Sequence, residues 1–184
     1  MERVYYTGLN SPIGIIWAAA TGKGLLRVDF PQPELKFIES IRRRMDAVLV
    51  KKTSKFHELI RLMRLYFEGE RVTFNLPLDL RGTEFQKAIW NSINRIPYGR
   101  LMSYGGLAMA VGRPRAVRAA GNAVGANPLA IIIPCHRVIR SDGSLGGFGG
   151  GLNLKRYLLH IEGVLPEKED EEYPISRSHL RNYL

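Results

Sequence analysis

Residues 131–138 read IIIPCHRV and contain the single cysteine of the chain. The apolar run of this segment is typical of a buried strand, which would carry Cys135, followed directly by His136, at its end. The thiolate is the nucleophilic form of cysteine, and a neighbouring histidine or positive charge raises its population. A single free cysteine is otherwise usually a small buried apolar residue. The segment alone therefore leaves a structural cysteine and an activated nucleophile as alternatives.

A glycine-rich loop follows the cysteine over residues 141–151. It has neither a following Gly-Lys-Ser/Thr nor the Rossmann glycine spacing, so it is not a phosphate-binding motif. Such a loop can form the wall of a flat pocket with its backbone N–H groups exposed. The next predicted helix ends at Glu162, before Gly163. A carboxylate at a helix C-terminus opposes the helix dipole, so a partner histidine would explain it, with a solvated terminal residue as the alternative.

Two short helical segments precede the cysteine, from about Tyr104 to Ala110 and from about Arg115 to Val124. A tight turn containing Gly112 joins them, which makes them a helix-turn-helix candidate, although plain core packing can produce the same shape. The second segment is rich in alanine and glycine and carries two arginines. Small side chains would let its backbone approach a partner closely.

The first 80 residues alternate in the manner of strands and then of helices. Strands are predicted over three apolar runs in an antiparallel meander, at residues 4–7, 13–20 and 24–30. Helices are predicted over about 34–45 and 54–67, the second with one apolar face formed by Phe56, Ile60, Met63 and Phe67. A capping-box pattern of Thr83 and Gln86 predicts the next helix start.

These elements predict an α+β protein with three parts. Residues 1–80 form an N-terminal domain with an antiparallel sheet and helices. Residues 83–163 form a mostly helical domain with the helix-turn-helix and the cysteine loop. Residues 164–184 form a C-terminal extension, either a solvated tail or a helix docked on the body.

Composition narrows the class of protein. The chain has 184 residues, 45% of them apolar, and one cysteine, so an internal disulfide is impossible and a cysteine-based zinc site is not expected. No apolar run approaches the roughly 20 residues of a membrane span, and the start lacks the pattern of a signal peptide. We therefore expect a soluble, cytoplasmic protein that does not bind membranes.

The positive net charge of the chain raises the question of a nucleic-acid partner. The chain carries 27 basic and 17 acidic residues, a net charge of +10, and residues 83–163 hold the largest excess. Arginine, whose planar fork suits phosphate oxygens, predominates among the cations. A basic surface is expected of a nucleic-acid binder, but many basic proteins are merely soluble, so charge alone does not decide.

The segment Pro134-Cys135-His136-Arg137-Val138 closely resembles the active-site motif of the O6-alkylguanine-DNA alkyltransferases. Further matches to that family occur in order along residues 83–163: Thr83, Phe85-Gln86, Trp90, Ile96-Pro97-Tyr98-Gly99, Ser103-Tyr104, Arg118, Gly121-Asn122-Ala123, Asn127-Pro128, Gly150-Gly151-Leu152 and Glu162-Gly163. Residues 1–80 match only in the general strand-then-helix pattern of the family's N-terminal domain, which is RNase H-like.

The resemblance implies a reaction. Members of the family remove an alkyl group from O6 of guanine in DNA and keep it on a cysteine, once per molecule, without a metal or cofactor. By motif position, Cys135 is the acceptor and His136 is the base that activates it through a water molecule. Glu162 would hold and polarise His136, Asn127 would brace this network, and Tyr104 would donate a proton to the leaving guanine.

The resemblance also implies how DNA is bound. The family flips the nucleotide out of the duplex from the minor groove, independently of sequence, and Arg118 matches the arginine that fills the vacated stack. Contacts to DNA would also come from the matched positions Ser103 and Gly121 and from Arg115 and Ala119 beside Arg118. We expect the protein to act as a monomer associated with the nucleoid.

Base selectivity is implied by the backbone carbonyls of Cys135 and Val138, which would accept from the exocyclic amine of guanine. Phe148 and Gly149 stand beside the O6 position, where the family often has Tyr-Ser. The missing serine hydroxyl is a potential donor to O6, although the N–H of Gly149 could replace it. Activity is expected to survive with an altered tolerance for bulky alkyl groups.

Three other classes of protein would differ from this family in a recognisable feature. A non-catalytic reader of alkylated DNA would lack the cysteine. An unrelated Cys-His hydrolase would need an oxyanion hole and no DNA-binding helix pair. A transcription-regulating adaptive-response protein would carry an additional zinc-binding domain.

Overall fold

The computed structural model describes residues 1–165, which form two compact units. Among the described residues, the first unit contains residues 1–81 together with 128–132, and the second contains residues 82–127 and 133–165. The first unit gains 128–132 because this segment continues the sheet: Val28 N donates to Pro128 O at 2.9 Å, and Ala130 N donates to Val28 O at 2.9 Å. Of the predicted extension over 164–184, residues 166–184 lie outside the described residues.

The first unit is built on a four-stranded sheet in the order β3-β2-β1-β4. Its strands are β1 (Glu2–Ser11), β2 (Gly14–Thr21), β3 (Gly24–Asp29) and β4 (Ala47–Lys51). The antiparallel meander of β1, β2 and β3 is confirmed. The expectation of an entirely antiparallel sheet is wrong for β4, which pairs in parallel with β1. A strand that pairs in parallel needs a crossover connection, and the helix before β4 provides it. Since β4 is only five residues long, its sequence pattern gives little indication of a strand.

Helices α1 (Glu34–Arg42) and α2 (His57–Phe67) complete this unit. Phe37 of α1 stacks on Trp17 of the sheet with ring centroids 5.9 Å apart. The predicted apolar face of α2 is wrong in part, because the helix buries Leu59, Leu62, Met63 and Tyr66. Apolar side chains cover more than one side of α2, so tertiary packing rather than periodicity selects the buried face.

The second unit is mostly helical and contains the cysteine. Its elements are α3 (Glu84–Asn94), β5 (Met102–Ser103), α4 (Tyr104–Ala110), α5 (Val117–Gly125), β6 (Val138–Ile139) and α6 (Leu152–Ile161). The predicted start of α3 is confirmed, because Thr83 and Gln86 exchange both capping-box hydrogen bonds. The indole N–H of Trp90 donates to Ala123 O at 2.8 Å and joins α3 to α5.

The segment before the cysteine is not the predicted buried strand. Residues 130–132 form a turn, with Ile131 in the left-handed region at φ 69°. Cys135–Arg137 then form one turn of 3-10 helix, followed by β6, which pairs in parallel with β5. A short apolar run signals burial but does not distinguish a strand from a buried turn.

Candidate active site

Cys135 begins the 3-10 turn and is buried, with 9% of its surface exposed. Burial raises the pKa of its thiol, because a thiolate loses its hydration there. The Asn127 side chain, the positive charge of Lys155 and nearby backbone N–H groups favour the thiolate but do not outweigh burial. The surroundings were expected to raise the thiolate population. Burial has the larger effect, so the resting cysteine is a thiol that needs a base.

His136 is fully buried beside it, and its Nε2 lies 2.6 Å from Oε1 of Glu162. Burial lowers the pKa of His136, so the ring is neutral at physiological pH. An ionised carboxylate can only accept a hydrogen bond, so Nε2 carries the ring proton and donates it to Glu162. This assignment leaves Nδ1 as the basic nitrogen of the ring.

Glu162 directly follows α6 and is buried. Burial alone would raise its pKa, but hydrogen bonds from His136 and Arg137 lower the pKa to about 2. Arg137 binds both carboxylate oxygens, Nε to Oε2 at 2.8 Å and Nη2 to Oε1 at 3.0 Å, and Gly99 N donates to Oε2 at 3.1 Å. The helix-terminal carboxylate is therefore anchored by a histidine and an arginine rather than solvated.

Arg137 is a functional-site residue that sequence reasoning missed. The sequence offered it only as a source of positive potential near the cysteine. In the structure its guanidinium is buried, donates to Ile96 O at 2.6 Å and lies over the Tyr98 ring at 5.8 Å. It holds Glu162 ionised and in place, and only the tertiary contact reveals this.

Asn127 lies just after α5, at the point where the chain leaves the second unit. Its side-chain Nδ2 donates to Ile133 O at 2.8 Å, two residues before Cys135. Asn127 therefore fixes the base of the excursion 128–132 and, with it, the backbone that leads into the 3-10 turn.

Tyr104 is the first residue of α4 and is half-buried. Its ring lies between two glycines: a Cβ added at Gly121 would be 3.8 Å from the ring, and one at Gly146 would be 3.1 Å from the hydroxyl. Burial, with the nearby Cys135, raises the pKa of Tyr104, so its hydroxyl stays protonated and can donate. Gly121, expected to contact DNA, therefore lies beside this ring, and a Cβ there would make an ordinary van der Waals contact with it.

Lys155 on α6 is a second residue that sequence reasoning missed, because a helical lysine usually indicates a solvated face. It is fully buried, and its Nζ donates to Val138 O at 2.5 Å and to Leu145 O. Burial lowers the pKa of Lys155 to about 8. The lysine fixes both the Val138 carbonyl and the glycine-rich loop, and its Nζ lies 5.9 Å from the Phe148 ring.

The predicted base-recognition groups are differently exposed. Val138 is buried, and its carbonyl accepts from Nζ of Lys155. The Cys135 carbonyl likewise accepts one bond already, from Val138 N. Phe148 is half-buried, whereas Gly149 is exposed and a Cβ added there would meet no atom within 4 Å.

The predicted DNA-contacting residues divide into two groups. Arg118 and Ala119 on α5 and Arg115 in the preceding turn are exposed. Ser103 and Gly121 are half-buried, and Ser103 caps α4 by accepting from Gly106 N at 3.0 Å. The exposed group therefore places two arginines and the small side chain of Ala119 on α5 and on the turn that leads into it.

Residues 1–165 contain no group of three or more His, Cys, Asp and Glu side chains that could hold a metal ion. Within the same residues, no helix combines the length and the apolar character needed to cross a bilayer.

Two family models match the chain over most of its length. Residues 4–80 match the ribonuclease-like domain of 6-O-methylguanine DNA methyltransferase, and residues 84–164 match the DNA-binding domain of the same family. Both expectations of fold, the mixed sheet-and-helix class and the RNase H-like first domain, are thus confirmed.

Individual proteins agree with the family models. The methylated-DNA–protein-cysteine methyltransferase of Methanosarcina barkeri is 45% identical, over 86% of this chain and 97% of that protein. The crystal structure of the Mycobacterium tuberculosis O6-methylguanine methyltransferase is 40% identical, over 86% of this chain and 92% of its own, with a TM-score of 0.75. The OGT protein of the same organism in complex with DNA is 39% identical, with the same coverage and a TM-score of 0.74.

Proposed function

This chain belongs to the 6-O-methylguanine DNA methyltransferase family, and on that premise we propose that Cys135 accepts an alkyl group from O6 of guanine in DNA. The protein is then a DNA repair protein that transfers the lesion to itself. One observation carries the assignment of the residues: a buried thiol is followed by a neutral histidine whose other nitrogen is held by an ionised carboxylate.

The chemistry begins with a proton transfer. Nδ1 of His136 takes the Cys135 proton through a water molecule, and Glu162 stabilises the imidazolium that forms. The thiolate attacks the alkyl carbon, the new S–C bond replaces the C–O bond, and the electron pair passes into the guanine. Tyr104 donates its hydroxyl proton to the leaving base, which departs as neutral guanine.

The product fixes the stoichiometry. Sulfur attack on an alkyl carbon yields a thioether, which water does not cleave readily, so each molecule acts once. The transfer needs no metal or organic cofactor. The non-catalytic reader and the Cys-His hydrolase gain no support, because a reader needs no oriented base and a hydrolase must release its intermediate.

The DNA contact is proposed on α5. A base inside the duplex hides O6 from a bulky protein, so the nucleotide must be extruded, and Arg118 fills the vacated stack. The small side chains of α5 suit the minor groove, while Arg115 and other surface arginines add affinity independent of sequence. We also propose that the protein acts as a monomer and that it associates with the nucleoid in the cytoplasm.

Mass spectrometry tests the function. Incubation with a duplex containing O6-methylguanine should add one methyl mass, located on Cys135. The Cys135→Ala variant should gain no mass and should still bind the duplex, because the thiol supplies the reaction rather than the DNA affinity. A methyl mass on the Ala variant would show that another residue is the acceptor.

A further inference from the structure

Arg140 is an exposed cation that the proposed chemistry does not use. It follows β6 directly, two residues after Val138. Its backbone is fixed by a turn: Arg140 N donates to Ser144 O at 2.9 Å, and Gly143 N donates to Arg140 O at 3.1 Å. The position of this side chain is therefore set by the same strand that carries the predicted base-recognition carbonyl.

Gly146 places Arg140 next to Tyr104. A Cβ built on Gly146 would lie 3.1 Å from the Tyr104 hydroxyl and 3.6 Å from Cγ of Arg140. Both side chains therefore lie close to one glycine, around the position that its Cβ would take. Since the other side of the Tyr104 ring faces Gly121 of α5, the tyrosine lies between the predicted DNA-inserting helix and Arg140.

The guanidinium is available for a ligand. Over residues 1–165 no carboxylate lies within ion-pair distance of Arg140. Arg140 has an electrostatic effect on Asp142, whose carboxylate is already bound by the N–H and hydroxyl of Ser144 at 2.9 and 2.7 Å. Arg140 also acts on Tyr104, where its charge favours the ionised form of the hydroxyl.

A nucleotide whose base enters the site past Tyr104 keeps its sugar and phosphates outside. The phosphates on either side of that sugar are the nearest anions to an arginine beside the tyrosine. The planar guanidinium fork matches phosphate oxygens and can bind two of them at once. We infer that Arg140 binds a backbone phosphate next to the extruded nucleotide, opposite α5, and holds the strand while the base is in the site.

This inference rests on the proposed function and deepens it, and a thermodynamic cycle tests it. The substrates are a duplex with one O6-methylguanine, the same duplex with a neutral methylphosphonate at the phosphate 5′ or 3′ to the lesion, and free O6-benzylguanine. Arg140→Ala should slow transfer from the duplex roughly 10- to 100-fold, the range expected for a lost charge-assisted hydrogen bond. Transfer from the free base should stay unchanged.

The methylphosphonates identify the contact. With the unaltered protein, one of the two methylphosphonates should slow transfer from the duplex about as much as Arg140→Ala does. With the Arg140→Ala variant, the same methylphosphonate should slow transfer no further. Arg95→Ala, which removes an exposed arginine beyond α3, is the matched control and should keep full sensitivity to both.

Two results overturn the inference while leaving the function intact. Equal loss on the duplex and on the free base would mean that Arg140 acts through Tyr104 or the loop. Additive losses at both phosphates would mean that it touches neither. Absence of transfer by the unaltered protein from both substrates would instead contradict the proposed function.

Discussion

Glu162 is the residue on which the geometry around the cysteine depends. Its two oxygens accept from His136 and Arg137 of the 3-10 turn and from Gly99, which lies between α3 and β5. A buried carboxylate is costly unless it is paired and hydrogen-bonded, and here both conditions are met. The same contacts fix which nitrogen of His136 is basic, so structure and proton transfer depend on one side chain.

Glu162→Gln should slow methyl transfer to Cys135 about 100-fold, because an amide can still accept from Nε2 of His136 but has no charge to stabilise the imidazolium. It should also lower the free energy of unfolding by about 3–5 kcal/mol, because Arg137 loses its counter-charge. Single-turnover transfer rates and urea unfolding measure the two effects separately.

Glu84→Gln is the control, because that carboxylate is exposed on α3 and pairs only with Lys87; it should change neither quantity. If Glu162→Gln is too unstable to assay, Glu162→Asp keeps the charge and should slow transfer through displacement of the carboxylate. An unchanged rate in either folded variant would remove Glu162 from the reaction.

Gly149 is the second residue with a specific expectation. Nothing lies within 4 Å of a Cβ added there, so Gly149→Ser should fit and change the free energy of unfolding by less than about 0.5 kcal/mol. Its hydroxyl would add a donor beside O6 and speed methyl transfer roughly 10-fold. Gly149→Ala fills the space without a donor and should leave the rate unchanged; equal acceleration by both variants would refute the donor argument.

At the level of elements, α5 combines two roles that its composition makes compatible. Its inner side buries Ala120, Ala123 and Val124 against the unit, while Arg118 and Ala119 face outward. Small residues on both sides let α5 pack closely on α3 and α4 and leave its outer surface free of bulk. A larger residue on the outer side would keep the backbone of α5 away from a groove.

Arg118→Ala should therefore slow transfer from duplex DNA at least 10-fold and leave transfer from free O6-benzylguanine unchanged, because only the duplex has a vacated stack to fill. The measurement is the ratio of the two transfer rates. Lys87→Ala removes the same charge from α3 and should keep the ratio of the unaltered protein. Equal loss on both substrates would contradict a role in extrusion.

At the level of the whole molecule, two buried ionisable groups should shape stability against pH. The pKa of Glu162 falls from an ordinary 4.5 to about 2 on folding. A depressed carboxyl pKa contributes stability that is present above about 4.5 and is lost as pH falls towards 2, here about 3 kcal/mol. Lys155 affects stability at alkaline pH, because its pKa falls from 10.5 to about 8 on folding.

Between pH 8 and 10.5, the unfolded chain binds the Lys155 proton and the folded protein does not, so stability should rise with pH in that window. Lys155→Met should remove this rise, measured as the change in urea midpoint across the window. Lys87→Met, at an exposed helical position, should keep it. A rise that persists in Lys155→Met would show that another group titrates there.

The sequence by itself determined much of this protein. Turn residues and apolar alternation specify β1 to β3, the Thr83–Gln86 pair specifies the start of α3, and the ordered motifs identify the family. These features are local patterns or motifs in a fixed order along the chain, so the linear sequence suffices to define them. The roles predicted for Cys135, His136 and Glu162 come from their positions in the family's motifs, since their residue types alone left other interpretations open.

Only the tertiary structure decided the rest. It turned the expected strand before Cys135 into a buried turn, paired β4 in parallel with β1, and buried Arg137 and Lys155 against carboxylate and carbonyl oxygens. It also made the resting cysteine a thiol rather than a thiolate. The physical reason is common to all four: burial, partner atoms and the resulting pKa depend on residues distant in the chain, and a linear pattern does not encode those distances.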